Sequence, residues 1–184
     1  MFSKIYNNEE LFSIMSNFCN ENNIEICLSE GLQDHADDQL IILKADEYYS
    51  SKNMHNPPPA VDCIILVKCN KTPCYDLYLI ELKDIKSPQN FNKENIVQKF
   101  KTIINDFLGK KFSYIFSNEK YCNFNCYFVS NPYGCNSLSQ DQYDKKIRTE
   151  SLKLDYFNSI KPFRFKDKVS LIQAKLPNPM ISEC

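Results

Sequence analysis

Glycine and histidine are both scarce in this chain of 184 residues, and each shortage excludes familiar chemistry. The three glycines, Gly31, Gly109 and Gly134, lie far apart. A phosphate-binding loop of either common type needs several closely spaced glycines, so nucleotide binding of those kinds is excluded. The two histidines, His35 and His55, stand in no motif for serine–histidine catalysis or for a zinc protease.

Long apolar runs are also missing. No segment approaches the roughly 20 apolar residues that span a membrane, and the amphipathic start does not resemble a signal peptide. Nine cysteines without a secretory signal predict reduced thiols in a cytoplasmic protein, not a disulfide framework. Cys27, Cys63 and Cys69 fall in apolar strand-like runs and are predicted to pack as small hydrophobic residues. Cys122 and Cys126 are likewise predicted core residues, because no second Cys or His pair stands near enough in sequence to complete a zinc site.

The net charge of −1 conceals an uneven distribution. Residues 1–61 carry three lysines against ten acidic residues, whereas residues 62–140 and 141–184 each carry an excess of three basic residues. This asymmetry fits a local site for a polyanion better than a surface that is basic throughout, although a solvated surface of either sign is an equally good explanation.

The order of predicted elements indicates one α/β domain over residues 1–184. Asn8 is a plausible cap for a first helix with Leu11, Ile14, Met15 and Phe18 on one face. Further segments are a short strand or helix end in IEICL, a strand in QLIILKADEYY, a proline-rich loop, paired strands at about 61–69 and 75–84, and a strand in YCNFNCYFVSN. The segment NKENIVQKFKTIINDFLGKK predicts a helix that Gly109 ends. The tail predicts a helix around 140–160 and a strand around 165–176. This order predicts a mixed central sheet flanked by helices.

The paired strands carry three charged residues where apolar residues are expected. Asp62 opens the first strand, and Glu81 and Lys83 lie near the end of the second on the same face, with Leu82 on the opposite face. Asp62 shares the face of Glu81 if it pairs with residue 81 or 83, and lies opposite if it pairs with residue 82. The loop length leaves the register open, because one bulge would shift it.

Two carboxylates and a lysine that converge at a strand end suit phosphodiester hydrolysis. Carboxylates provide the hard oxygen ligands that Mg²⁺ prefers. The metal lowers the pKa of water and offsets charge that develops on the phosphate. A lysine can orient the attacking water or stabilise the transition state.

Asp62, eighteen intervening residues and then Glu81-Leu82-Lys83 form a pattern that resembles the PD-(D/E)XK nuclease superfamily, which includes many type II restriction endonucleases. The resemblance covers about residues 60–130, with Val61 where the family often has proline. It implies a restriction-endonuclease-like fold in which Asp62 and Glu81 bind the metal, Leu82 adds its main-chain carbonyl and Lys83 is the catalytic lysine. It also implies Mg²⁺ as the cofactor, with Mn²⁺ able to replace it.

Some members of that superfamily add an upstream acidic ligand, for which Glu25 and Glu30 are candidates, and Gln98 is a candidate further active-site residue. The expected function is a DNA endonuclease of restriction type that acts as a homodimer on double-stranded DNA. The tail, residues 136–184, is expected to contact DNA or the second subunit. Its basic residues include Lys145, Lys146, Arg148, Lys161, Arg164, Lys166 and Lys168.

Three alternatives stay open. One is a repair nuclease or junction resolvase of the same fold. Another is an RNA endonuclease of the cap-snatching kind, for which His35 is a candidate metal ligand. The third is a non-catalytic nucleic-acid-binding protein on the same fold.

Overall fold

A six-stranded mixed sheet forms the centre of the molecule, as the sequence predicted. The structure is a computed structural model that describes residues 1–34, 36–52, 55–84, 92–130, 139, 141–142, 145 and 160–184. The strands of this sheet, in spatial order, are β1 (Met15–Ser16), β5 (Leu40–Lys44), β6 (Cys63–Lys68), β7 (Tyr75–Lys83), β8 (Tyr121–Ser130) and β11 (Ile172–Lys175). Neighbours from β1 to β7 are antiparallel, whereas β8 is parallel to β7 and β11 is parallel to β8.

The remaining elements are short apart from one long helix. The shorter helices are α1 (Phe2–Tyr6), α2 (Glu9–Phe12), α3 (Glu30–Asp34), α4 (Ala36–Gln39), α5 (Ala45–Ser50) and α7 (Ser113–Phe116). The long helix consists of α6 (Lys93–Thr102) and a π-helix (Ile103–Lys111) that continues it. Three two-stranded sheets contain β2 (Asn20–Glu21) with β3 (Ile24–Glu25), β4 (Cys27–Leu28) with β12 (Met180–Ile181), and β9 (Phe163–Phe165) with β10 (Lys168–Ser170). Among the described residues, no helix has the length and apolar character needed to cross a membrane.

The two faces of the central sheet support separate hydrophobic clusters. Successive residues of a strand point to opposite faces, so Glu81 and Lys83 lie on the face of Leu77 and Leu79, whereas Asp76 lies on the other face. That face packs against α6 and the π-helix through large side chains that include Phe100, Ile103 and Phe107. The opposite face, with Leu82, packs against the β3 and β4 region and against Ile181. The helix-covered face is therefore where a charged pair on β7 meets α6.

The long helix differs from its sequence prediction at its end. Asn92 caps α6 by accepting a hydrogen bond from the Asn95 N–H at 2.9 Å. Gly109 was predicted to stop the helix, but the π-helix carries the chain past it to Lys111. The backbone N–H of Phe112 donates to the carbonyl of Phe107 at 3.0 Å, which is the five-residue spacing of a π-turn. Both phenylalanines are buried, so the wider turn brings two large side chains into the core.

The predicted first helix is much shorter than its apolar spacing suggested. Asn8 caps α2 as expected, because its side chain accepts from the Leu11 N–H at 2.9 Å. The helix ends at Phe12, since the Ile14 carbonyl accepts from the Lys44 N–H at 2.8 Å and Met15 pairs with Leu43 in the sheet. Pairing with the sheet edge replaces the helical turn that periodicity alone predicted.

The expectation of reduced cysteines is wrong. The described residues form three disulfides: Cys19–Cys63, Cys69–Cys184 and Cys74–Cys122. Their Cα separations of 6.0, 4.8 and 5.7 Å fall in the usual range for a disulfide. Each joins cysteines at least 44 residues apart, so sequence spacing gave no signal of the pairing. The cytoplasmic assignment loses the support that reduced thiols gave it.

Candidate metal-binding active site

The register of the β6–β7 hairpin places Asp62 beside Glu81. The last pair of the ladder is Cys63 with Ile80. One step further along, Asp62 therefore lies opposite Glu81. The Leu82 N–H donates to Oδ2 of Asp62 at 2.6 Å, which fixes that carboxylate at the end of the hairpin. Of the registers left open by the sequence, the structure therefore has the one that puts both acidic side chains on the same face.

Glu81 is buried, with a relative exposure of 1%. Its Oε1 accepts a hydrogen bond from Nζ of Lys99 at 2.6 Å. Its Oε2 is buried and has no hydrogen-bond partner among the described residues. A buried carboxylate oxygen without a donor is energetically costly. A bound cation would remove that cost, and so would a proton shared with the Asp62 carboxyl, whose hydrogen bond also raises the pKa of Glu81.

Burial raises the pKa of both carboxyl groups. Burial raises the pKa of Asp62 to about 6, although Lys99 and the Leu82 N–H oppose the change, and the charges of Asp46 and Glu21 add to it. The pKa of Glu81 lies well above its usual value, first because of burial and second because of the nearby Asp62 carboxylate. Two carboxyl groups this close together cannot both ionise easily unless a cation binds between them.

Lys99 is the functional residue that the sequence interpretation missed. Burial acts against its ammonium group, yet the carboxylates of Glu81 and Asp62 hold the pKa of Lys99 above its usual value. A signal was available: Lys99 lies three residues after Ile96 and four before Ile103, on the buried stripe of α6. A lysine on an apolar helix face needs a negatively charged partner, and β7 provides one.

Lys83 lies at the end of β7 and is partly exposed. Strand alternation puts it on the face of Glu81, but it forms no ion pair with any described residue. Gln98 does not point toward the carboxylates; it lines an open groove of about 620 Å³ on the side of α6 that also carries Lys101.

The acidic groups nearest the pair are not the ones that the sequence suggested. Glu21 on β2 and Asp46 on α5 are the acidic residues whose charges act on Asp62. Glu30 begins α3, and Glu25 is an exposed residue of β3. The Cys19–Cys63 disulfide explains the position of Glu21, because it ties the segment before β2 to the residue that follows Asp62.

Only part of the basic tail lies within the described residues. Lys146 and Arg148 lie outside them, as does most of the helix expected around 140–160, and so does His35. Lys161 lines the groove beside α6, and Arg164 on β9 is exposed. Lys166 donates a hydrogen bond to the carbonyl of Glu119, and Lys168 pairs with Asp167 at 3.4 Å.

Comparisons with protein-family models, with curated proteins and with solved structures found no match. The site therefore has to be interpreted from its own geometry.

Proposed function

We propose that this chain is a Mg²⁺-dependent endonuclease that hydrolyses double-stranded DNA, of restriction type and with a restriction-endonuclease-like fold. The observation that carries the proposal is the position of Asp62 beside Glu81 at the end of the β6–β7 hairpin, where Glu81 Oε2 is buried and no described residue donates to it. The chain order also supports the resemblance noted from the sequence. Strands β5, β6 and β7 are antiparallel, α6 follows them, and β8 then runs parallel to β7.

The charges of the described residues suit a divalent cation. Asp62 and Glu81 bring two carboxylates, Lys99 brings one compensating charge, and Glu21 and Asp46 add negative potential. Magnesium prefers oxygen ligands from one or two carboxylates and keeps several waters. The residues that would hold it are Asp62, Glu81 and the main-chain carbonyl of Leu82.

In this proposal the metal supplies a Lewis acid that lowers the pKa of water and offsets charge on the phosphate. Lys83, partly exposed at the strand end, orients the attacking water or donates to a phosphate oxygen as charge develops. Lys99 holds Oε1 of Glu81 and so leaves Oε2 directed to the cation. Lys101 of α6 and Lys161, from the segment before β9, line the groove beside that helix, and in this proposal they contact DNA phosphates.

The test is cleavage of supercoiled plasmid with Mg²⁺, with Mn²⁺ and with EDTA. We expect nicked and linear products with either metal and none with EDTA. Asp62→Ala, Glu81→Ala and Lys83→Ala should each lower the rate by about 100-fold or more, because each removes a group that acts on the transition state. Lys68→Ala, which removes an exposed lysine of β6, is the matched control and should cleave at the parental rate.

Two results would contradict the proposal. Cleavage that persists in Lys83→Ala would exclude the assigned role of that lysine, and in that case Lys99→Ala would identify the amine that acts instead. Binding of DNA without cleavage under any metal condition would indicate the non-catalytic alternative. A parallel panel of single-stranded and double-stranded RNA separates the DNA enzyme from an RNA endonuclease.

A further inference from the structure

The opposite end of the β6–β7 hairpin holds an unusual concentration of sulfur. Cys69 directly follows β6, Cys74 directly precedes β7, Cys122 is the second residue of β8 and Cys184 approaches from the C-terminal segment. The Sγ atoms of Cys69, Cys74 and Cys122 lie within 4.8 Å of one another. The Sγ atom of Cys184 lies within 4.8 Å of that of Cys69, so one sulfur is close to the other three.

Two disulfides join these cysteines, Cys69–Cys184 and Cys74–Cys122. We propose that, once both are reduced, the four thiolates bind one structural Zn²⁺ ion. A tetrahedral site with zinc–sulfur bonds of about 2.3 Å has sulfur–sulfur edges of about 3.8 Å. Three of the sulfurs already lie within 4.8 Å of one another, and the Sγ atom of Cys184 lies within that distance of the Sγ atom of Cys69. Rotation of the Cys184 side chain on the C-terminal segment would complete the set. Four residues separate Cys69 from Cys74 on one tight turn, which is a spacing typical of zinc ligands. The Cys69 N–H donates to the Cys74 carbonyl at 3.0 Å.

Neighbouring polar groups favour the thiolate form of this cluster. The Thr72 hydroxyl lies 3.0 Å from Sγ of Cys74 and 3.4 Å from Sγ of Cys122, so it can donate to a sulfur that has lost its proton. Asp76 is also near the cluster, but both of its carboxylate oxygens accept from the Asn123 side chain, at 2.8 and 2.9 Å. Asp76 Oδ1 also lies 3.9 Å from Sγ of Cys69, and the proposal assigns the four sulfurs as the ligands while Asp76 keeps its hydrogen bonds with Asn123.

The chemical balance is simple. Reduction of each disulfide breaks one sulfur–sulfur bond and takes up two electrons and two protons. A dithiol reductant supplies them and becomes a disulfide itself. Binding of zinc then displaces four thiol protons to the solvent. The same four sulfurs therefore hold the hairpin end together as two disulfides under oxidising conditions and as a zinc site under reducing conditions.

The site is independent of the carboxylate pair. Cys69 and Asp62 lie at opposite ends of β6, and a six-residue strand spans about 20 Å. A zinc ion here would fix the turn that joins the two strands and would not contact the proposed active site.

The experiment uses the full chain, reduced with a phosphine under nitrogen, stripped with EDTA and exchanged into metal-free buffer. Titration with Co²⁺ should reach an end point at one ion per chain. It should give an intense sulfur-to-cobalt charge-transfer band, with the intensity expected for four thiolate ligands, and the visible bands of tetrahedral cobalt. Zn²⁺ should abolish them stoichiometrically. Cobalt at the carboxylate pair would give weak bands without charge transfer, so the two sites are distinguishable.

Cys74→Ser and Cys122→Ser should each lower zinc affinity at least 100-fold and reduce the charge-transfer intensity. Cys27→Ser, Cys126→Ser and Asp76→Asn should keep the complete spectrum, because Cys27 and Cys126 form no disulfide and Asp76 is not a ligand. Circular dichroism of each reduced variant confirms that it is folded. The spectrum of the parental chain tests the proposal even if a serine variant unfolds. Three results would overturn the proposal. The charge-transfer band could be absent in the parental chain, its intensity could correspond to fewer than four cobalt–thiolate bonds, or it could survive in the double variant Cys74→Ser/Cys122→Ser.

Discussion

Glu81 is a carboxyl group in a position that strand alternation assigns to the hydrophobic core. Leu77 and Leu79, which share its face of β7, are completely buried among apolar side chains. Lys99 satisfies one oxygen of Glu81 and leaves the other without a donor. A buried ion pair seldom repays its desolvation cost, so this arrangement lowers the stability of the metal-free protein. Under the proposed function, a cation bound at the second oxygen would offset this cost.

Glu81→Gln should therefore make the metal-free protein more stable at pH 7.5. We expect the free energy of unfolding to rise by about 1–2 kcal/mol and Tm by about 3–6 °C, because the amide keeps the shape without the burial of a charge. Mg²⁺ should raise Tm of the parental protein but not of the variant, measured by differential scanning fluorimetry. Glu94→Gln, which neutralises an exposed carboxylate of α6, is the control and should leave Tm unchanged. A lower Tm for Glu81→Gln would indicate that the ion pair with Lys99 is structural.

The pH dependence of stability should have a definite sign. Asp62 and Glu81 both have higher pKa values in the folded chain than in the unfolded chain, chiefly because of burial. As the pH rises, the unfolded chain loses these protons first, so their contribution favours folding below about pH 4 and is lost as the pH rises through about 6. Urea unfolding of the metal-free protein at several pH values measures this effect. In Glu81→Gln the decrease between pH 4 and pH 7.5 should be smaller, and an equal decrease in both proteins would contradict the assignment.

The sequence predicted the acidic half of the site but not its counter-charge. Asp62 and Glu81 were recognisable because a charge inside an apolar strand violates the alternation that the rest of the strand follows. Their common face depended on a register that the loop length left undetermined, and the structure resolved it. Lys99 was not predicted, because the pattern of α6 was interpreted only through its apolar residues. Glu21 was not predicted, because it is a disulfide that brings it near Asp62.

At the scale of elements, the π-helix is the most distinctive part of the long helix. The backbone widens by one residue per turn from Ile103 to Lys111. A Cβ added at Gly109 would lie 2.8 Å from the carbonyl oxygen of Ile104, which belongs to the backbone and cannot rotate away. Gly109 therefore permits the widened turn, and it does not end the helix.

Gly109→Ala should destabilise the protein by about 1–2 kcal/mol, although the same change in an ordinary exposed helix position stabilises by about 1 kcal/mol. The methyl group would force the Ile104 carbonyl to move and would disturb the seating of Phe107. Chemical unfolding by guanidinium measures the difference. Lys110→Ala, at the next exposed position, should change stability by less than about 0.5 kcal/mol. An increase in stability for Gly109→Ala would show that the wider turn is not required.

At the scale of the whole molecule, the sequence best predicted those elements whose pattern is contained within a single segment. The β6–β7 hairpin, α6 and β8 were recognisable because alternation and helical spacing are properties of single segments. The first 30 residues were not, because their two-residue strands and short helices have too few residues to show a period. Two long-range disulfides that no spacing revealed, Cys19–Cys63 and Cys69–Cys184, attach that region and the C-terminal segment to the sheet.

The Cys19–Cys63 disulfide should contribute strongly to stability, because it closes a loop across 44 residues between the segment before β2 and β6. In the chain-entropy account, a loop of this length restricts the unfolded chain by about 2–4 kcal/mol. The double variant Cys19→Ala/Cys63→Ala should therefore unfold with a free energy lower by about that amount, measured by urea titration without reductant. Cys27→Ala, which removes an unpaired and partly exposed thiol, should change the free energy of unfolding by less than about 0.5 kcal/mol. If the double variant matched the parental protein, the N-terminal segment would be held by its packing alone, and the position of Glu21 near Asp62 would need no covalent link.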